Sequence, residues 1–253
     1  MLKSKLRDRE LSLGSWISIG NPSTAEIMAR AGFEWLVVDL EHTAIGIEIA
    51  CEMIRIIDLC GVTPLVRLTS NDANQIKRVM DAGAHGIVVP MVNNAEQARL
   101  AVSATRYAPK GTRGVGLSRA QGYGAKFAEY LTWQSDGPIV IVQIEHISAI
   151  DHLGEIISVP GVDGVIIGPY DLACSMEIPG QFANPGFLDA MARIRTIAGE
   201  HGTPVGTHIV EPGLSALAKA VSEGYTFIAY SVDQRMLDVC ARAGSAKFME
   251  LKK

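Results

Sequence analysis

Ile139-Val140-Ile141-Val142-Gln143-Ile144-Glu145 is an almost unbroken apolar run that stops at a carboxylate. Two other stretches end in the same way, Val38-Asp39-Leu40-Glu41-His42 and Ile166-Ile167-Gly168-Pro169-Tyr170-Asp171. A buried strand that closes on an acid places the charge at the rim of a sheet, within reach of water and substrate, and not in the core, where desolvation would be costly. Several strands doing this in one chain point to a barrel with one catalytic face.

Outward from these runs, short apolar, β-rich segments alternate with longer ones of helical spacing, the βαβα pattern of a parallel sheet. Eight strands are expected, near residues 14–19, 35–40, 63–68, 86–90, 139–144, 164–168, 204–209 and 227–230. Their near-continuous hydrophobicity suits strands covered on both faces. Pro22-Ser23-Thr24-Ala25-Glu26 reads as a capping box opening a helix that ends at Ala31-Gly32, and Asp81-Ala82-Gly83 closes another. Eight strand-helix units in about 250 residues match a (β/α)8 TIM barrel, so the predicted fold class is α/β, with residues 1–253 as a single barrel domain. A doubly wound open sheet is the runner-up, weakened because no Gly-x-Gly-x-x-Gly turn follows the first strand.

The chain has 253 residues, 48% of them hydrophobic and 20% charged, with net charge −4, enough to bury a large core. Lysines and arginines are scattered, which leaves no electrostatic footprint for nucleic acid or an anionic membrane. Residues 1–10 lack the apolar run of a signal peptide, and no stretch approaches the roughly 20 apolar residues of a membrane span. A cytoplasmic protein is expected. Cys51, Cys60, Cys174 and Cys240 match neither a zinc knuckle nor a disulfide framework and read as reduced packing residues. One long excursion, from Tyr107 to the strand at 139, carries Arg113, Arg119 and many glycines. It reads either as an anion-contacting flap over the barrel mouth or as a surface excursion with solvated arginines.

Glu145 and Asp171, both at strand ends and 26 residues apart, can converge as two hard oxygen ligands for a divalent ion that keeps its other positions for water and substrate. Magnesium or manganese suits that donor set, and zinc less so, because no His/Cys cluster accompanies it. The alternative is that the two carboxylates cap the helices that follow them. His42, next to a strand-end acid, can act as a general base held by a neighbouring carboxylate. The other five histidines read as ordinary structural residues, His208 the least plainly so, since it ends the seventh strand on the presumed catalytic face. Arg67 ends the third strand on an apolar run, which implies an anionic partner there: a substrate oxyanion or an internal salt bridge. No lysine ends a strand, which argues against a Schiff-base mechanism.

Gly14-Ser-Trp16, Asp39-Leu-Glu-His42, Ala104-Thr-Arg-Tyr107, Arg113-Gly-Val-Gly116, Val142-Gln-Ile-Glu145 and Gly168-Pro-Tyr-Asp-Leu172, in this order and spacing, resemble the HpcH/HpaI family of metal-dependent class II pyruvate aldolases. The resemblance covers nearly the whole chain. It implies that Glu145 and Asp171 hold the metal, magnesium or manganese with cobalt or zinc as secondary candidates, without an organic cofactor. It further implies that His42 is the base or proton shuttle, oriented by Asp81 from a helix of the same chain or from a neighbouring subunit, that Arg67 stabilises the enolate oxygen, and that Gln143 and the backbone at Gly168, Pro169 and Tyr170 place pyruvate, with Trp16 lining the mouth. The reaction implied is reversible cleavage of a 4-hydroxy-2-oxo acid to pyruvate and an aldehyde.

A homo-oligomer is implied as well, a trimer or a hexamer with exchanged C-terminal helices in which residues 232–247 pack on a neighbour. After Asp171-Leu172 the family commonly has a serine, whereas Ala173-Cys174 follows here, and Gln121-Gly-Tyr-Gly124 suggests a distinct branch. Arg113 and Arg119 suggest a hydroxylated or acidic aldehyde tail, giving 2-keto-3-deoxy sugar acids or a related dioate. The rival chemistry on this barrel is Claisen-type, citrate-synthase-like or citrate-lyase-like, using oxaloacetate or acyl-CoA.

Overall fold

In a computed structural model of the chain, which describes residues 1–252, the strands are β1 (Ser12–Ile17), β2 (Trp35–Asp39), β3 (Thr63–Arg67), β4 (Gly86–Val89), β5 (Ile139–Ile144), β6 (Gly164–Ile167), β7 (Val205–Ile209) and β8 (Phe227–Val232). Each lies parallel to the next, and β8 closes on β1. This is the (β/α)8 barrel expected, and every strand boundary falls within two residues of its expected place.

Helix α1 (Leu2–Asp8) precedes β1. Around the barrel run α2 (Pro22–Arg30), α3 (Ile47–Leu59), α4 (Ala73–Asp81), α5 (Ala95–Thr105), α6 (Phe127–Trp133), α7 (Ile147–Asp151), α8 (Leu153–Ile157), α9 (Pro169–Ser175), α10 (Pro185–Glu200) and α11 (Leu214–Ser222). The chain ends on α12 (Asp233–Leu251). Among the described residues no helix is long and apolar enough to cross a membrane, and all four cysteines are free.

The strand period of two sorts the apolar residues into two cores. Trp35 and Val37, with Leu65, Val88, Ile139, Ile141, Ile166, Phe227 and Ala229, fill the barrel. Leu36, Val38, Val66, Ile87, Val140, Val142, Val165 and Ile167 face outward onto the helices. Trp35 stacks on Phe227 with ring centroids 4.1 Å apart, and Gly14 lies so close under Trp35 that an added Cβ would sit 2.0 Å from the indole. Leu2 and Leu6 of α1 pack onto the interior cluster, while Lys3 Nζ donates to the Pro138 carbonyl at 2.7 Å and pairs with Asp163 at 3.0 Å. The first helix thereby plugs the N-terminal end of the barrel, and the open mouth is at the C-terminal end.

Helix punctuation departs from expectation at one point. The capping box at Ser23 and Glu26 does not form. Asn21 caps α2 instead, its Oδ1 accepting from the Ser23 amide at 2.8 Å, and Glu26 pairs with Arg30. Pro22 explains the shift: it has no N–H to lose and its fixed φ suits the first helical position, which makes the preceding residue the cap. Gly83, at φ +100°, closes α4 as expected.

Candidate active site

Extending the inward-facing register to the strand ends puts Trp16, Asp39, Glu41, Arg67, Gln143, Glu145, Gly168 and His208 at the mouth. These are the residues that continue the series filled lower down by Trp35, Leu65, Ile141 and Ile166. Trp16, His42, Arg67, Gln143, Gly168, Pro169, Tyr170, Asp171 and His208 line one cavity of about 400 Å³ there.

Asp39 and Arg67 are register partners on β2 and β3, so they meet directly. Arg67 Nε and Nη2 donate to Asp39 Oδ1 and Oδ2 at 2.9 and 2.7 Å, and Nη1 lies 3.3 Å from Glu41 Oε2. The guanidinium also rests 4.4 Å above the Trp16 ring. The internal salt bridge held open by the sequence is therefore present. Two of the five guanidinium N–H groups are hydrogen-bonded to Asp39, Nη1 faces Glu41 as an ion pair without a hydrogen bond, and N–H groups remain for a bound oxygen.

Glu145 is almost fully buried. Its Oε1 accepts from the Met91 amide at 2.7 Å, and its Oε2 accepts from Gln143 Nε2. Met91, just beyond the end of β4, has a left-handed φ of +53°, a strained geometry for a side-chain-bearing residue at the point where the backbone meets the carboxylate. Gly168 is obligatory beside it, since a Cβ there would come within 2.6 Å of Glu145 Oε2. Burial, reinforced by the negative charges of Glu41 and Asp171, pushes the Glu145 carboxyl up to about 7. Burial likewise raises Glu41, with Arg67 opposing and Asp39 and Asp171 adding to the rise.

Asp39, Glu41, Glu145 and the more exposed Asp171 thus put four carboxylates against one guanidinium at the mouth, and Glu41 Oε2 is buried without a hydrogen bond. The excess negative charge and all-oxygen donor set fit a hard divalent cation. Among the described residues no three His, Cys, Asp or Glu donors converge as a cluster, so an ion on Glu145 and Asp171 would keep most of its positions for other oxygens. Neither carboxylate caps a helix: His146 caps α7, and Gly168 occupies that position for α9 with no side-chain bond.

His42 sits on the loop after β2, its side chain 61% exposed and its Nε2 3.7 Å from Glu41 Oε2. The Gly168 amide is already bonded to the Ile144 carbonyl, and Pro169 has none, so only the first-turn amides of Tyr170 and Asp171 remain for a ligand. Tyr170 is half-exposed and meets Phe182 edge to face at 4.9 Å.

Three expected site residues lie elsewhere. Asp81, expected to orient His42 from its own chain or from a neighbouring subunit, ends α4 at the opposite face of the barrel, where its Oδ1 accepts from Arg113 Nη2 at 2.6 Å, so that within one chain it does not meet His42. Arg113 is not a substrate contact in this chain: its side chain is fully buried, donates to Tyr130 Oη at 2.8 Å and stacks on Tyr107 and Tyr130. Arg119 binds Asp58 at 2.5 Å and the Ala82 carbonyl at 3.2 Å, near His85, again where strands begin. The physical reason is connectivity. The long excursion joins the C-terminus of α5 to the N-terminus of β5, and both ends belong to the plugged face. With it goes the reason for expecting a sugar-derived aldehyde. The residues missed are Asp39, Glu41, Met91 and His208, and all but Met91 carried the inward-facing parity as their signal.

His208 Nε2 lies 3.1 Å from the Ser231 carbonyl, and its ring is 5.4 Å from Trp16. Burial, with the charge of Arg67 adding to it and the Ser231 carbonyl and Asp39 opposing, lowers this imidazole to about 4. The unfolded chain takes up a proton near pH 6.5 and the folded chain does not until about pH 4, so stability present above 6.5 drains as pH falls through that window. The loss is on the order of 2–3 kcal/mol. His208→Gln is expected to flatten that part of the stability profile in urea titrations from pH 7 to pH 4; an unchanged slope would assign the acid sensitivity to other groups.

A family model described as HpcH/HpaI aldolase/citrate lyase matches residues 12–238. The hydroxypyruvate/pyruvate aldolase of Cupriavidus necator is 38% identical, over 98% of this chain and 92% of that one. The 4-hydroxy-2-oxo-heptane-1,7-dioate aldolase of Salmonella typhimurium is 37% identical, over 99% and 95%. A crystal structure of an HpcH/HpaI aldolase/citrate lyase family protein from Burkholderia cenocepacia superposes with a TM-score of 0.91 at 32% identity, covering 100% of this chain and 99% of the other.

Proposed function

Because this chain belongs to the HpcH/HpaI aldolase/citrate lyase family, we propose that it catalyses divalent-metal-dependent, reversible aldol cleavage of a 4-hydroxy-2-oxo acid to pyruvate, or a 3-substituted pyruvate, and an aldehyde. The observation that carries this reading is the convergence of His42, Arg67 and Asp171 on one cavity at the carboxyl ends of the strands, with Glu145 held directly behind its lining residues Gln143 and Gly168. The names of the relatives favour aldol over Claisen chemistry.

Glu145 and Asp171 would hold the ion, magnesium or manganese by their hard oxygens. When bound it supplies positive charge beside the carboxylate and 2-oxo oxygens of the substrate. His42, on the exposed rim, takes the C4 hydroxyl proton, directly or through one water, and Glu41 beside it stabilises the imidazolium. As the C3–C4 bond breaks, its electron pair passes to C3, forming the enolate, and the aldehyde leaves. Arg67 N–H groups not bonded to Asp39 meet the enolate oxygen, a charge that grows only along the reaction. Asp39 fixes the guanidinium plane, and Gln143 fixes Glu145. A proton returned to C3 completes pyruvate.

The test is pyruvate release from a panel of 4-hydroxy-2-oxo acids by protein stripped with chelator and restored with magnesium, manganese or cobalt, beside Glu145→Ala. Metal-restored cleavage absent from the variant supports the reading. No cleavage with any metal, together with turnover of a CoA thioester, would replace it with Claisen chemistry.

We infer further that the protein works as a homo-oligomer, a trimer or a hexamer, with α12 packed on a neighbour. Of its 19 residues only Asp233 is buried within the chain, and Leu237, Phe248, Met249 and Leu251 are exposed. A face of that kind is an association surface. Phe248→Glu with Leu251→Glu is expected to lower the mass measured by light scattering; a monomeric wild type would refute the inference.

A further inference from the structure

His208 takes no part in the steps above, yet the fold holds it with unusual care at the mouth. Its Nε2 faces a carbonyl, that of Ser231, at 3.1 Å, and a carbonyl only accepts. The imidazole must therefore carry its proton on Nε2, and Nδ1 is left as a bare lone pair. The acceptor carbonyl is itself fixed. Ser231 has a left-handed φ of +54°, its Oγ donates to the Val210 carbonyl at 2.8 Å, and buried Ser15 shares its one hydroxyl proton between the Tyr230 carbonyl at 2.8 Å and the Ser231 carbonyl at 3.2 Å. Trp16 closes one side of the ring.

Nδ1 has no partner among the described residues and is not among the sealed unpaired atoms, while His208 lines the mouth cavity beside Arg67 and Gly168. A neutral acceptor is thus presented to the space where the substrate chain lies. Carboxylate, keto and aldehyde oxygens are acceptors themselves and repel such a lone pair. The only donor that a hydroxy-oxo acid and its aldehyde bring is a hydroxyl.

We propose that His208 is a specificity-determining residue whose Nδ1 accepts a hydrogen bond from a hydroxyl on the substrate chain, so that the enzyme prefers hydroxylated substrates to their deoxy counterparts. The inference rests on the aldolase reading. The C4 hydroxyl common to all these substrates gives its proton to His42, which leaves two positions: C3 of the 2-oxo acid, as in hydroxypyruvate, or the carbon next to the aldehyde, as in glycolaldehyde.

The experiment runs in the synthetic direction with magnesium. Hydroxypyruvate is compared with pyruvate as nucleophile towards propanal, and glycolaldehyde with propanal as acceptor for pyruvate. Wild type, His208→Leu and His208→Gln are assayed after circular dichroism shows each to be folded. The kcat/KM ratio of hydroxylated over deoxy substrate is expected to fall about tenfold in His208→Leu, the ordinary effect of losing one hydrogen bond to a buried group. It should recover in part in His208→Gln, whose amide oxygen retains an acceptor. The arm in which the ratio moves places the hydroxyl. An unchanged ratio, or an equal loss on both members of each pair, would overturn the proposal and leave His208 as packing behind Trp16.

If wild type turns over no pair with magnesium, manganese or cobalt, the aldolase reading fails on its own terms, and calorimetric affinities for hydroxypyruvate and pyruvate decide for His208. A preference for hydroxypyruvate lost in His208→Leu upholds the contact, and equal affinities in wild type remove it.

Discussion

Arg67→Ala is expected to lower kcat for pyruvate release by about 10²–10³-fold, the usual effect of removing a donor aimed at a developing oxyanion. The geometry makes the prediction sharp because Arg67 is not free to be replaced by another group. Its plane is set by the bidentate bond to Asp39, its Nη1 lies 3.3 Å from Glu41, and Trp16 packs against one face. Arg67→Lys should recover only a small part, because an ammonium has no rigid fork to satisfy Asp39 and the substrate oxygen together.

The same substitution leaves Asp39, almost fully buried, without its counter-charge, and breaking such a pair destabilises by about 3 kcal/mol or more. Stability and chemistry are separable. The double variant Asp39→Asn/Arg67→Ala removes the stranded charge, so its urea midpoint should move back towards wild type while kcat stays low. A kcat for Arg67→Ala within threefold of wild type, in folded protein, would sink the oxyanion role.

The fold was legible because two independent periodicities agreed. Apolar runs of strand length recurred eight times, and positive-φ glycines such as Gly61 and Gly83 stood just ahead of strands. The strand-end acids were legible for the same reason, since a carboxylate that closes an apolar run has nowhere to go but the rim. Which acid does what was harder to read. Asp39 lay in plain view within the first motif, but its role depends on its register with Arg67 across β2 and β3, a relation between two strands that neither run contains. Met91 was invisible, because it contributes only its backbone amide, through an unusual φ.

The long excursion was misplaced for a different reason. Length and arginines were read as function, although its position between a helix and the following strand already assigned it to the plugged end. In a (β/α)8 barrel the connections that build the mouth run from strand to helix, and those from helix to strand lie on the other face.

That relocation has a measurable consequence, the largest expected for stability outside the mouth. Arg113 is a fully buried cation, tied to Asp81 at 2.6 Å and Tyr130 Oη at 2.8 Å, and its guanidinium lies over Tyr107, which in turn accepts from Gln121 at 2.6 Å. The pair is the joint that fastens the excursion to the end of α4. Burial works against the charge, but the hydrogen bonds and neighbouring phenols outweigh it, and the guanidinium is raised above its ordinary value.

Arg113→Met keeps much of the volume and strands the Asp81 carboxylate and the Tyr130 hydroxyl, so a loss of about 3 kcal/mol in unfolding free energy is expected. Arg119→Met cuts a pair that is partly in water, and about 1 kcal/mol is expected there. Adding Asp81→Asn to Arg113→Met should return part of the loss, since the stranded charge and not the missing contact dominates it. Urea midpoints for the three variants check the order. If Arg113→Met were no less stable than Arg119→Met, the excursion would not be fastened by this joint, and its arginines would again need a ligand to explain them.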